Sequence, residues 1–112
     1  MIQLLKLDDL PRVGRTTRFD GILLGSDSSF FYVDTDPGKG PTLHQHPYTE
    51  TFILLEGIAE FRIGDSLETF GAGEVLVAPA NTPHKFTNTG AGTLRIIAIH
   101  AAKEIVTTWL DE

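Results

Sequence analysis

Apolar and polar positions alternate along much of this chain with a period of two. Between 50 and 56, Glu50, Phe52 and Leu54 fall on one strand face, and between 84 and 88 His84, Phe86 and Asn88 do the same. Stretches rich in β-branched and aromatic residues recur between turn signals such as Asp36-Pro37-Gly38, Gly64-Asp65, Asn81-Thr82-Pro83 and Thr89-Gly90-Ala91-Gly92. The pattern predicts strands over 16–23, 29–35, 42–46, 50–56, 58–63, 68–70, 74–78, 84–88 and 93–100. Its class is all-β, a sandwich or barrel rather than a βαβ protein. Residues 1–10, with Ile2, Leu4, Leu5, Leu7 and Leu10 apolar, suit either an edge strand or a turn-rich arm. Residues 105–110 read as a last strand, although Ile105, Val106 and Trp109 would also line one helix face.

A chain of 112 residues has room for a single domain, 1–112, with one hydrophobic core. Hydrophobic residues at 41% and charged residues at 21% are ordinary for a packed domain. The net charge of −6, with no basic cluster beyond Arg12, Arg15 and Arg18, argues against nucleic acid as a partner. No apolar run approaches the roughly 20 residues needed to cross a bilayer as a helix, so no membrane partner is expected. The first residues carry no visible secretory signal, and the expected address is cytoplasmic. The absence of cysteine removes disulfides, thiol ligands and thiol nucleophiles.

Candidate chemistry concentrates between Gly38 and Gly57. His44 and His46, two apart, point to one face of a strand, and Pro47-Tyr48-Thr49 lets the chain turn and return as a hairpin with Glu50 facing them. Glu50 is in phase with Phe52 and Leu54, at the rim of an apolar interior. Burying that carboxylate unpaired would cost several kcal/mol, and a cation is the simplest way to remove the cost. His84 heads a later strand that can bring a third imidazole from across the barrel. Three imidazoles and one carboxylate suit zinc, iron, nickel, copper or manganese and not calcium. They neutralise one charge of a divalent ion and leave a site that attracts anionic oxygen ligands. A lone His or Glu is more often surface or hydrogen-bonded; the weight comes from the combination. Phe52, Phe86, Tyr32 and Tyr48 suggest an aromatic lining, with core packing the commoner role for each phenylalanine. His100 reads as a surface or interface residue, and Trp109 as a lid on the barrel or part of a subunit seam.

The same residues resemble the cupin superfamily, specifically its small single-domain members. Gly38, His44, His46, Glu50 and Gly57 fit its first motif, G(x5)HxH(x3)E(x6)G, over 38–57 without a substitution. Gly73, Pro79, His84 and Asn88 fit the second, G(x5)PxG(x2)H(x3)N, over 73–88, except that Asn81 stands where Gly is usual. Asparagine tolerates a left-handed backbone, so the departure is mild. The resemblance implies a jelly-roll β-barrel of six to eight strands in a single domain, with His44, His46, Glu50 and His84 as ligands of one divalent transition metal ion. It also implies a homodimer, which the apolar arm at Ile2 to Leu10 would help to cover. Asn88, Gly57 and Gly73 carry over as structural residues, the glycines relieving barrel corners where a Cβ would crowd the backbone.

Cupins host many reactions on one barrel, so the resemblance fixes the site more firmly than the chemistry. The first expectation is a metal-dependent oxidoreductase of dioxygenase type acting on a small molecule, with Glu50 doubling as a base. The alternatives are a non-catalytic binding or sensing module, and a metal-assisted isomerase or decarboxylase to which no residue can be assigned.

Overall fold

The alternation in the sequence is realised as eleven strands in the computed structural model, which describes residues 2–110. They are β1 (Arg12–Val13), β2 (Thr16–Phe19), β3 (Ser29–Thr35), β4 (His44–Gln45), β5 (Glu50–Glu56), β6 (Ile58–Ile63), β7 (Ser66–Gly71), β8 (Val75–Ala78), β9 (His84–Asn88), β10 (Leu94–His100) and β11 (Thr108–Trp109). Eight of these have four residues or more, the number expected of a jelly roll; the other three are two-residue strands. One sheet runs β1-β2-β3-β10-β5-β8 and the other β11-β4-β9-β6-β7, with every pairing antiparallel. The fold is an all-β jelly roll. No described helix is long and apolar enough to cross a membrane.

Both sheets turn their in-phase residues toward a shared core. β5 contributes Phe52 and Leu54, β10 contributes Leu94, Ile96 and Ala98, and β6 and β9 contribute Phe61 and Phe86 from the opposite side. Phe61 stacks on Phe86 with centroids 5.0 Å apart and meets Phe52 edge-on at 5.0 Å. Both arrangements are favoured by the ring quadrupoles. Core packing fills one end of the barrel, and the first or last inward position of β4, β5, β9 and β10 lies at the other.

Several boundaries differ from the alternation-based reading. The strand expected over 16–23 stops at Phe19, because Asp20 turns aside to pair with Arg18 at 2.9 Å and to accept the Ile105 N–H at 2.8 Å. The chain then makes a 3-10 turn, Gly21–Leu24, tied to the C-terminal segment by Ile22 N–H donating to Lys103 O at 2.9 Å. The predicted 42–46 strand shrinks to β4, and the 105–110 strand to β11, which pairs with β4. The helical option for that tail is therefore excluded. The N-terminal arm is turn-rich rather than a strand, with a 3-10 turn at Leu7–Asp9; its first residue, Met1, lies outside the described residues.

Asn81 has φ +58°, the left-handed conformation that explains why it can replace glycine in the second motif. Gly57 and Gly73 share φ +89° but differ in surroundings. A Cβ on Gly57 would stand 2.7 Å from Thr93 O, whereas one on Gly73 would meet nothing within 4 Å. Crowding at a corner thus applies to Gly57, and conformation alone to Gly73. Gly57→Ala should lose about 3 kcal/mol or more in urea unfolding, and Gly73→Ala about 1–2 kcal/mol, the cost of the left-handed backbone without a clash. A smaller loss at Gly57 than at Gly73 would contradict the close approach to Thr93.

Candidate metal centre

All four histidines of the chain and Glu50 are buried at the open end of the barrel. Two cross-strand pairs place them. His44 of β4 lies opposite His84 of β9 in one sheet, and Glu50 of β5 lies opposite His100 of β10 in the other. The route differs from the expected hairpin: after Pro47 the chain crosses from one sheet to the other. His84 is the strand neighbour of His44, and Glu50 is the group that arrives from across the barrel.

The ligand atoms of His44, His46, Glu50 and His84 all lie within 4.8 Å of one another. Glu50 Oε1 stands 2.9 Å from His84 Nε2 and 3.1 Å from His46 Nε2. The other ring nitrogen of each candidate ligand faces a backbone carbonyl: His44 Nδ1 to Thr42 O at 2.7 Å, His46 Nδ1 to Val106 O at 2.7 Å, and His84 Nδ1 to Thr82 O at 2.9 Å. A carbonyl only accepts, so each Nδ1 carries the proton, and a neutral ring then offers a bare Nε2 lone pair to the site. Bare nitrogens beside a carboxylate oxygen repel unless a proton or cation lies between them. His46 Nε2 is buried with no well-directed hydrogen bond. Adjacent ligands about 2.1 Å from one ion and at right angles would lie ~3.0 Å apart, close to the Glu50–His separations. The donor set fits one divalent metal ion.

Electrostatics at the site follow from burial. Desolvation opposes ionisation of Glu50, but once the imidazoles of His100, His46 and His84 carry a second proton their hydrogen bonds and charge outweigh it and hold the carboxyl well below the usual carboxylate range. Burial lowers His44 to about 4, the Thr42 carbonyl opposing the shift only in part, which keeps the ring neutral and available as a donor. Burial likewise raises Tyr48 to about 12, so its phenol stays protonated.

His100, read from sequence as a surface or interface residue, is instead fully buried at 0% exposure. The signal was present: it is in phase with Leu94, Ile96 and Ala98, all of which point inward. Val106 N–H donates to Tyr48 Oη at 3.1 Å, and Tyr48 O–H donates to His100 Nδ1 at 2.6 Å. Glu50 Oε2, 3.0 Å from His100 Nε2, can only accept, which places the proton of neutral His100 on Nε2 in a close polar contact rather than a well-directed hydrogen bond. Glu50 therefore turns Oε1 to the candidate ligands and Oε2 to His100.

A cavity of about 500 Å³ opens from His44, His46 and Glu50. Of the four aromatic residues expected to line it, Phe86 does. Phe52 is sealed in the core, Tyr32 faces a separate groove beside Arg12 and Arg95, and Tyr48 stacks on His46 at 5.2 Å. Trp109 lines the mouth of the cavity, its ring centroid 5.0 Å from that of His44.

Residues 31–100 match the cupin domain family, and the chain belongs to it. Protein SchB of Streptomyces halstedii is 32% identical over 75 residues, 65% of this chain and 54% of its own length, so the chain spans about half of that relative. Among solved structures, an oxalate oxidase superposes with a TM-score of 0.80 at 20% identity, over 96% of this chain and 63% of its own. The oxalate decarboxylase of Lactobacillus farciminis, as a formate complex, gives 0.77 at 23% identity, over 85% of this chain and 30% of its own. An uncharacterized protein from Klebsiella pneumoniae with a double-stranded β-helix domain gives 0.75 at 19% identity, over 98% and 93%. At these identities the likeness concerns the fold.

Two outcomes are expected. His44 takes up its proton more readily in the unfolded chain, near 6.5, than in the folded one, near 4. Stability of the metal-free protein should therefore be full above pH 6.5 and decline as pH falls toward 4. Glu50, also depressed on folding, adds to the loss below its ordinary value of 4.5. The urea midpoint measured across this range checks the sign, and a flat or rising profile toward acid contradicts it. Second, His100→Phe keeps a flat ring but leaves Glu50 Oε2 without its partner, and should weaken metal affinity about 10- to 100-fold in competition with a chelating dye.

Proposed function

We propose that the chain, as one cupin domain, is a metal-dependent oxidoreductase of dioxygenase type acting on a small molecule, with His44, His46, Glu50 and His84 holding one divalent transition metal ion. The observation that carries the reading is the set of three imidazoles whose Nδ1 protons are committed to Thr42, Val106 and Thr82 carbonyls, leaving three Nε2 donors around a buried carboxylate. When bound, the ion supplies Lewis acidity and open positions for oxygen ligands. The chain orients the rings through its backbone, contributes one negative charge through Glu50, and shields the site within the cavity. Glu50 also carries the proposed role of base, which requires its carboxylate to detach transiently from the ion.

The oxalate oxidase and decarboxylase share the fold with this chain at 20% and 23% identity, and their substrate is not carried over. A binding or sensing module is the second reading. It is favoured by Asp34 and Asp36, the other carboxylates lining the cavity, being tied to Arg15 at 2.9 and 2.7 Å, which leaves Glu50 as the acid–base group facing the interior. Isomerisation or decarboxylation at the same ion remains without an assigned residue. The exposed apolar side chains of Ile2, Leu4, Leu5 and Leu7 support the proposed homodimer, and the acidic balance of the chain supports the absence of a nucleic acid or anionic-membrane partner.

The test is elemental analysis of protein purified without an affinity tag, beside a His46→Ala/His84→Ala variant. It is followed by oxygen uptake of the iron-loaded protein over a panel of diketones, thiols and phenols. One metal ion per chain, lost in the variant, with uptake on at least one compound, is expected. Metal with no uptake and ligand recovered unchanged would favour the binding module; a metal-free wild type would remove both readings.

A further inference from the structure

Resting on the metal-site reading above, we infer that the cavity selects a monoanionic oxygen chelator carrying an apolar ring, such as the enolate of an aryl β-diketone, and discriminates against small dianions. Size is the first ground. About 500 Å³ lies within the range of about 300–1,000 Å³ that houses a drug-sized ligand, and a two-carbon diacid would leave most of it to water. The second ground is the wall. Phe31 and Val33 of β3 and Phe86 of β9 present apolar surface above the site, and Trp109, 62% exposed on β11, offers a ring at the mouth against which a flat ligand can lie.

Charge is the third. A divalent ion with three neutral imidazoles and the Glu50 carboxylate carries a net single positive charge. A chelating monoanion cancels it, whereas a dianion leaves an excess negative charge facing an apolar chamber, where desolvation is unfavourable. The rim does not offset this. Arg15 and Lys39 line the mouth together with Asp34 and Asp36, and Arg15 holds Asp34 at 2.9 Å and Asp36 at 2.7 Å, so the basic and acidic groups balance.

Zinc-loaded protein, which does not consume oxygen, is titrated calorimetrically with benzoylacetone, acetylacetone and oxalate, and its metal content is measured before and after. Benzoylacetone should bind about tenfold more tightly than acetylacetone, by virtue of its ring, and more tightly again than oxalate. Trp109→Ala should reduce the preference for benzoylacetone over acetylacetone severalfold with zinc retained, and the His46→Ala/His84→Ala variant should bind none of the three. Oxalate bound as tightly as benzoylacetone, or equal binding of the two diketones, with zinc in place, overturns the ligand class and leaves the metal site standing. A wild type that holds no zinc, or any other divalent transition ion, overturns the metal site and the inference with it.

Discussion

One carboxylate, taken out of water among four imidazoles, organises the open end of this barrel. Glu50 is 3% exposed, and an isolated charge so placed would cost several kcal/mol. The surrounding rings can repay that only by carrying positive charge or sharing a cation. Three of them have already given their Nδ1 proton to a backbone carbonyl, so a neutral ring has a lone pair, not a donor, to turn toward Glu50. The fold therefore builds a conflict that a bound divalent ion relieves. His100 is the exception, because Tyr48 occupies its Nδ1 and leaves a protonated Nε2 in close contact with the carboxylate.

The geometry of this cluster is a consequence of core packing. Glu50 precedes Phe52 and Leu54 on one face, His84 precedes Phe86, and His100 follows Ile96 and Ala98. Phe52 makes the junction visible, lying edge-on to Phe61 on the core side and 6.0 Å from His84 on the site side. A one-residue slip of any of these strands would turn its polar group outward and its neighbours inward, so the register that buries the phenylalanines also aims the ligands. The cross-strand pairs His44–His84 and Glu50–His100 exist because two sheets settle their cores in compatible phase.

The same logic explains what could be read before the fold was known. Period-two alternation assigns a face to each residue, which is why His44, His46, Glu50 and His84 were legible as one inward set. It does not assign a neighbour. Whether β5 returns beside β4 or crosses to the other sheet depends on pairings between distant segments, so the hairpin expectation placed Glu50 and His84 on the wrong sides of the barrel. His100 was legible in phase with Leu94, Ile96 and Ala98 but not in role, since its partners Tyr48 and Glu50 lie about half the chain away in sequence. The shortened strand at Phe19 had no local signal either: Asp20 leaves the ladder for Ile105, 85 residues on.

Orientation and selection are divided between backbone and side chains. Carbonyls of Thr42, Thr82 and Val106 fix the three candidate ligand rings, and none of those bonds depends on the side chain at its position. What must be preserved is the backbone path at three points, beside Pro41, beside Pro83 and at the approach to the β11–β4 pairing, rather than the identity of the residues that accept. The exposed part of the cavity wall is under no such constraint. Trp109, exposed at the mouth, can change size or polarity without touching an imidazole's Nδ1 partner, whereas Val33 also belongs to the buried core. A barrel of this design can thus keep one donor set while its ligand preference is altered from the wall inward, and in this chain that wall is apolar and large.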